Sequence, residues 1–262
     1  RQKMVQVDIE PKNAGWTFPC EQVLVGDAKT VLKQLAGALE ELGAPSAEIR
    51  RGRKDRVLFS REELGFFNAS GFFSDEMPML PERVIWELRQ VAADDSLVTC
   101  DAGENRLFMT HFFQTRSSNS FISSASVGGM GYAIPAALTA KLLYPHRQVI
   151  AVCGDGGFGM AFNGMITAYE ESIPIVTVIL NNQALGWVYH VQGGRTIASR
   201  FKDVDYAGMA KAAGCAGYHV ESPSQLHHAL LEALKNQEPA VLDVRISLKT
   251  TFRDVTSPLA NG

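Results

Sequence analysis

Two short stretches hold the residues best suited to chemistry. Gly154-Asp155-Gly156-Gly157-Phe158-Gly159 sets one carboxylate among glycines, and Asn181-Asn182 follows the next apolar run, Ile173 to Leu180. Glycine lets a backbone pass close to a bulky ligand, and a helix starting there aims free N–H groups at negative oxygens. The first stretch therefore has the outline of a phosphate cradle. Read literally, Gly154, Gly156 and Gly159 also satisfy G-x-G-x-x-G, the dinucleotide fingerprint. Two features oppose that reading. Asp155 inside the turn would repel a bare pyrophosphate unless a cation lay between them. The end of the next strand, where the fingerprint wants an acidic residue for the ribose, holds Asn181 and Asn182 instead. A carboxylate at 155 and a carboxamide at 182 are hard oxygen ligands suited to an octahedral Mg²⁺ that keeps diphosphate oxygens in its shell. The plain alternative is that Asp155 caps the helix through Phe158.

These loops need a sheet to hold them. After about residue 76 the pattern alternates helix and strand: a helix with Pro81 in its first turn, strand Leu97 to Cys100, and a helical stretch Glu104 to Phe113. A small-residue loop, Ser123 to Gly131, leads to a helix through Leu143, strand Val149 to Cys153, helix Phe158 to Glu171 and strand Ile173 to Leu180. Helix Tyr206 to Ala213, strand Gly217 to Val220, helix Ser224 to Asn236 and strand Ala240 to Ile246 complete it. Strands apolar on both faces and separated by helices predict an α/β fold with a doubly wound parallel sheet, whose ligands gather at the carboxyl ends of the strands.

The opening differs. Strands Val5 to Ile9 and Gln22 to Val25 with a helix Ala28 to Leu42 cannot cover each other's apolar faces, so residues 1–44 are expected to be the tail of a second α/β domain. The first residue is Arg1, and the chain is expected to be a piece of something longer. Residues 45–75 lose the periodicity and are expected to be a linker. They carry a solvated basic cluster from Arg50 to Arg56 and paired phenylalanines, Phe66, Phe67, Phe72 and Phe73, about an Asn68-Ala69-Ser70-Gly71 turn. Residues 76–262 are expected to form the main domain.

Composition narrows the function classes. With 262 residues, 46% hydrophobic and 20% charged, the chain can bury a core. A net charge of −3, with no basic stripe, argues against nucleic acid. The longest apolar run is too short to cross a bilayer, which argues against a membrane role. Four scattered cysteines, at 20, 100, 153 and 215, suggest neither disulfides nor a zinc cluster and fit a reducing, cytoplasmic setting.

The pairing of Gly154-Asp155-Gly156 with Asn181-Asn182 resembles the signature of the thiamine-diphosphate-dependent enzymes. Ser126-Val127-Gly128-Gly129-Met130-Gly131 before Ile134-Pro135-Ala136-Ala137 resembles the segment holding the aminopyrimidine in acetolactate synthase and benzoylformate decarboxylase relatives. Gln6-Val7-Asp8-Ile9-Glu10-Pro11, Asp101-Ala102-Gly103 and Asn181 to Gly186 are also similar to acetolactate synthases. The resemblance covers nearly the whole chain and implies the C-terminal portion of a catalytic subunit: the end of the central domain, then the diphosphate-binding domain.

By that resemblance, Met130 wedges thiamine diphosphate into its V shape, and the backbone of Gly128 and Met130 holds the pyrimidine edge. Asp155, Asn182 and the backbone carbonyl of Ala184 bind Mg²⁺. Gly154, Gly156, Gly157, Leu185 and Gly186 complete the cofactor-binding set. The implied activity is decarboxylation or carboligation of a 2-oxo acid, acetolactate synthase-like, with the thiazolium ring as electron sink. A related benzoylformate decarboxylase-like lyase is the alternative, as is a catalytically silent cofactor-binding fragment. The family's glutamate on the pyrimidine comes from a separate pyrimidine-binding domain, to which no segment here corresponds. The resemblance thus implies that this domain is supplied in cis or trans, in a homodimer or homotetramer. Glu104, Asn105, Trp187 and His190 are candidate substrate-side residues; Trp187 stands where acetolactate synthases tend to have methionine.

Overall fold

The computed structural model describes residues 3–63, 69–124 and 126–254, and the chain divides into two compact units, Arg1–Ser60 and Arg61–Gly262. Phe66, Phe67 and Asn68 lie outside the described residues. In the first unit, strand β1 (Val5–Asp8) pairs in parallel with β2 (Gln22–Val25), Val5 opposite Gln22 and Asp8 opposite Val25. Helix α1 (Ala28–Glu41) follows, capped by Asp27, whose Oδ1 accepts the Thr30 N–H at 2.9 Å. Its leucines 32 and 39 and the C-cap residue Leu42 are exposed, and among the described residues of this unit none is buried.

The expected linker 45–75 is largely helical: α2 spans Ala47–Glu63 and runs across the boundary at Ser60. Periodicity missed it because its good helix formers, Glu, Arg, Lys and Leu, build no apolar stripe. Glu48 in its first turn and Arg61 in its last complement the helix dipole.

The second unit winds strands and helices in regular alternation. Its elements are α3 (Pro81–Val91), β3 (Leu97–Cys100), α4 (Glu104–Phe112), β4 (Phe121–Ser123), α5 (Ala133–Leu143), β5 (Val149–Gly154), α6 (Asp155–Ala161) and α7 (Asn163–Glu170). Then come β6 (Val176–Asn181), α8 (Gly186–Gln192), α9 (Tyr206–Ala212), β7 (Ala216–Val220), α10 (Pro223–Lys235) and β8 (Ala240–Arg245). Strand order is β4-β3-β5-β6-β8-β7, and every pairing is parallel. Among the described residues no helix is long and apolar enough to cross a membrane.

The period of two along each strand divides the core between the faces of the sheet. Ile150 and Val152 of β5 pack with Phe108, Leu88 and Leu230 from α4, α3 and α10. Val149, Ala151 and Cys153 pack on the opposite face with Ala137, Phe158, Met165 and Ala210 from α5, α6, α7 and α9. Both faces are therefore covered, the doubly wound arrangement that the apolar strands predict.

Three local expectations are corrected. The single helix Phe158 to Glu171 is two helices parted at Phe162. The strand expected from Ile173 begins at Val176, after Pro174, which has no N–H for a ladder. Residues 186–192, read as loop, form α8, too short to show a periodicity.

Topology fixes where a ligand can enter. The chain leaves β3 toward β4 on one side and leaves β5 toward β6 on the other, so the loops after these neighbouring strands diverge and open a crevice. The face behind β5 is tightly packed: a Cβ on Gly164 of α7 would lie 2.6 Å from Ile134 Cγ2 of α5. Gly164→Ala is expected to cost about 1–3 kcal/mol of stability by overpacking, read as a lowered urea midpoint at unchanged slope.

Candidate functional site

Asp155 stands at the carboxyl end of β5, at the floor of the crevice, and is 2% exposed. Its Oδ1 accepts the Gly156 N–H at 2.8 Å and its Oδ2 the Ala184 N–H at 3.1 Å. Burial pushes the carboxyl up to about 6; the N–H groups of Gly156, Ala184 and Gln183 pull it back, and nearby Asp243 adds to the rise. The loop after β6 supplies the second oxygen: Asn182 Oδ1 also accepts the Ala184 N–H, at 3.1 Å. One backbone amide thus draws a carboxylate and a carboxamide oxygen together from adjacent strand ends.

That loop is held from below and from the side. Asn181 Nδ2 donates to buried Asp243 of β8 at 2.7 Å, and Asn181 Oδ1 accepts the N–H of Gln183, which takes a left-handed turn at φ 58°. Leu185 N–H donates to Ser199 O and Phe201 N–H to Gln183 O, tying the loop to the 199–201 segment.

Asp101, at the end of β3, joins the other side of the crevice to the same floor. It is 1% exposed; Oδ1 accepts from Ala102 N (2.7 Å) and Tyr132 N (3.1 Å), and Oδ2 from Gly131 N (3.0 Å). Burial raises its pKa, and these three N–H groups oppose the rise. Asp101 therefore fixes the backbone beside Met130. A Cβ on Gly157 would lie 2.3 Å from Asp101 Oδ2, so glycine there is a steric requirement. In the sequence Asp101 belongs to a motif without an assigned place in the site, and its position directly at a strand end is the signal that marks it.

The pocket is lined by Glu104, Asn105, Met130, Gly154, Asp155, Gly156, Gly157, Asn182, Ala184, Leu185, Gly186 and Trp187. The structure so gathers the expected residues, save two that are not among the lining residues. Gly128 sits in the preceding turn at φ +69°, and His190 lies behind the wall. A Cβ on Gly156 would lie 2.7 Å from Leu185 Cδ2 and 3.0 Å from Met130 Cε, so Met130 and Leu185 close over that glycine. A Cβ on Gly186 would lie 2.5 Å from Glu104 Oε2 and 2.9 Å from Asn182 Nδ2.

Glu104 opens α4 and does not serve as its cap. Its Oε1 lies 2.7 Å from His190 Nδ1 and accepts the Phe252 N–H at 3.0 Å, while His190 Nε2 lies 3.0 Å from Leu248 O. Trp187 stacks on Phe252 with centroids 5.6 Å apart. Asn105 Nδ2 donates to Asp101 O at 3.0 Å. Of the four substrate-side candidates, Glu104, Asn105 and Trp187 reach the pocket, and His190 braces Glu104 from outside it.

A switch-point crevice in a doubly wound sheet, floored by glycine and two side-chain oxygens, defines an α/β domain built for a cofactor. The model of the thiamine pyrophosphate enzymes' C-terminal TPP binding domain matches residues 101–244, and the chain belongs to that family. It is 32% identical over 257 residues to the "Probable acetolactate synthase large subunit" of Methanococcus aeolicus, covering 93% of this chain and 43% of the relative. It is 28% identical over 253 residues to the acetolactate synthase isozyme 3 large subunit of Escherichia coli K12, with coverages of 93% and 43%. With the acetolactate synthase large subunit of Haemophilus influenzae it shares 28% over 250 residues, with coverages of 90% and 42%. The chain spans a little over two fifths of the length of these relatives.

The raised pKa of Asp155 carries a stability signature. Below about pH 4 the carboxyl is protonated in folded and unfolded chain alike; above about pH 6 it is ionised in both, and only the folded form bears the desolvation penalty. Between pH 4 and pH 7, Asp155→Asn is expected to gain about 2–3 kcal/mol of unfolding free energy relative to the unsubstituted ligand-free chain. Urea unfolding of both proteins across that range checks it; a difference that does not vary with pH would remove burial as the cause.

Proposed function

We propose that this chain holds thiamine diphosphate through Mg²⁺ and serves the decarboxylation or carboligation of a 2-oxo acid, as in an acetolactate synthase. The observation carrying the proposal is the meeting of Asp155 Oδ2 and Asn182 Oδ1 on the Ala184 N–H, within a glycine cradle, in a chain of this family. Family membership supports the cofactor, and the donor set supports the metal. A carboxylate, a carboxamide and a backbone carbonyl are hard oxygen donors of the kind Mg²⁺ takes together with substrate phosphates.

The residues fit that group on two counts. Gly154, Gly156, Gly157 and Gly186 present bare backbone to the pocket beside Asp155, and Asp155 is a buried carboxylate left without a cationic side chain beside it among the described residues. Asp155, Asn182 and the Ala184 carbonyl would hold the cation, and the glycines would admit the diphosphate to the backbone. Asp101 would fix the Gly128 to Met130 turn against the rest of the cofactor, with Met130 as its adaptable thioether wedge. When bound, thiamine diphosphate supplies a nucleophilic carbon and an electron sink for cleavage beside the 2-oxo acid carbonyl. Phe108, Leu180, Trp187 and Val188 make that side of the pocket apolar.

A pyrimidine-binding domain, in cis or from a second copy, would complete the site. Supporting this is an apolar groove beside Met130, lined by Ile122, Tyr132, Pro135, Leu143 and Tyr144, with α5 residues Leu142 and Leu143 well exposed. Residues 1–44 would then belong to the end of a central domain.

Calorimetric titration with thiamine diphosphate tests the cofactor site. Heat is expected with Mg²⁺ and not in its absence, and Asp155→Ala is expected to weaken binding at least about tenfold. NADH binding without metal, or equal binding by Asp155→Ala, would overturn the proposal.

A further inference from the structure

The pocket holds a second carboxylate that neither the family match nor the relatives' names assign. Glu104 is 5% exposed, and its two oxygens are used unequally. Oε1 is fully engaged by His190 Nδ1 and the Phe252 N–H. Oε2 is buried, has no hydrogen-bond donor among the described residues, and sits beside Gly186 and Asn182, facing the loop that carries the candidate metal oxygens. A protein seldom buries an ionised oxygen without a donor or cation, because the desolvation goes uncompensated. The free oxygen therefore points to a ligand that brings one of the two.

Charge identifies which. Among the described residues lining this pocket none is Lys, Arg or His; Glu104 and Asp155 both present carboxylates, and His190, behind the wall, pairs with Glu104 Oε1 and leaves Oε2 unpartnered. Such a wall repels a diphosphate and attracts a divalent cation. Resting on the diphosphate reading above, we infer that Glu104 is the second acidic group of the cation half of the site. Oε2 accepts a hydrogen bond from the cation's hydration shell, and its charge makes diphosphate binding depend on that cation. His190 and Phe252 hold Oε1 so that Oε2 faces the pocket, which makes them positioning residues. Outer-shell carboxylates of this kind commonly tune metal affinity by one to two orders of magnitude.

The test is the coupling between two ligands. Thiamine diphosphate is titrated into the full chain by calorimetry, once with Mg²⁺ and once with EDTA, for the unsubstituted protein, Glu104→Gln, Glu104→Asp and Asp155→Ala. Glu104→Gln preserves an acceptor for His190 and Phe252 and removes the charge. It is expected to reduce the Mg²⁺-induced gain in affinity about tenfold, partly through tighter binding in EDTA, where repulsion is relieved. Glu104→Asp, which keeps the charge, is expected to retain most of that gain, and it decides the matter if Glu104→Gln proves unfolded by circular dichroism. A merely structural Glu104 would weaken binding equally with and without Mg²⁺, and that result, or an unchanged gain in Glu104→Gln, overturns the inference. If Asp155→Ala binds like the unsubstituted chain, the diphosphate reading itself has failed. If Asp155→Ala weakens binding while Glu104→Gln leaves the gain intact, only the role of Glu104 has. Absence of binding by every protein overturns both.

Discussion

The ligand-facing edge of the sheet depends on a single backbone N–H, that of Ala184, shared by Asp155 Oδ2 and Asn182 Oδ1 at 3.1 Å each. Without it, two oxygens from separate loops would have no reason to converge, and the buried Asp155 carboxylate would lose one of its N–H donors. The amide can reach both only because β5 and β6 are adjacent, parallel and in a register that sets Gly154 opposite Leu180. It is aimed there by the left-handed turn at Gln183, which in turn rests on Asn181 and Asp243. The chain of support thus runs from sheet register through β8 to one amide proton.

This arrangement stores electrostatic tension in the ligand-free protein. Asp101, Asp155 and Asp243 all have pKa values raised by burial; N–H donors oppose the rise at each, joined at Asp243 by the charges of Arg245 and His219. Packing on both faces supplies the stability that tolerates it: the core behind β5 on either side is made of residues almost wholly removed from water.

Much of this was legible because local pattern and global constraint agree. Strands apolar on both faces specify a parallel sheet, and a parallel sheet puts Asp155 and Asn182 at one edge whatever the details of the helices. What escaped notice has physical causes. Helix α2 is stabilised by propensity and charge rather than by an apolar stripe, so the signal read for helices was absent. Strand β4 is three residues long and only half-buried, too short to alternate visibly. Glu104 stands among the substrate-side candidates, but its partners do not show in the sequence: His190 and Phe252 lie far away in the chain, and no local periodicity records a contact made only by the closed fold.

The two halves of the pocket are specified in different ways. On the floor, Asp101, Gly157 and the Gly131–Tyr132 backbone are locked by sterics: the space a Cβ on Gly157 would need is already occupied by Asp101 Oδ2. Any side chain there displaces the carboxylate, and with it the turn carrying Met130. The opposite wall, α8, is held by side chains reaching to the 248–252 segment, Trp187 to Phe252 and His190 to Leu248, and such contacts tolerate exchange of one aromatic or polar group for another. The floor is thereby fixed by backbone constraints that few substitutions survive. The shape of this wall rests instead on side-chain contacts, those of Trp187 and His190.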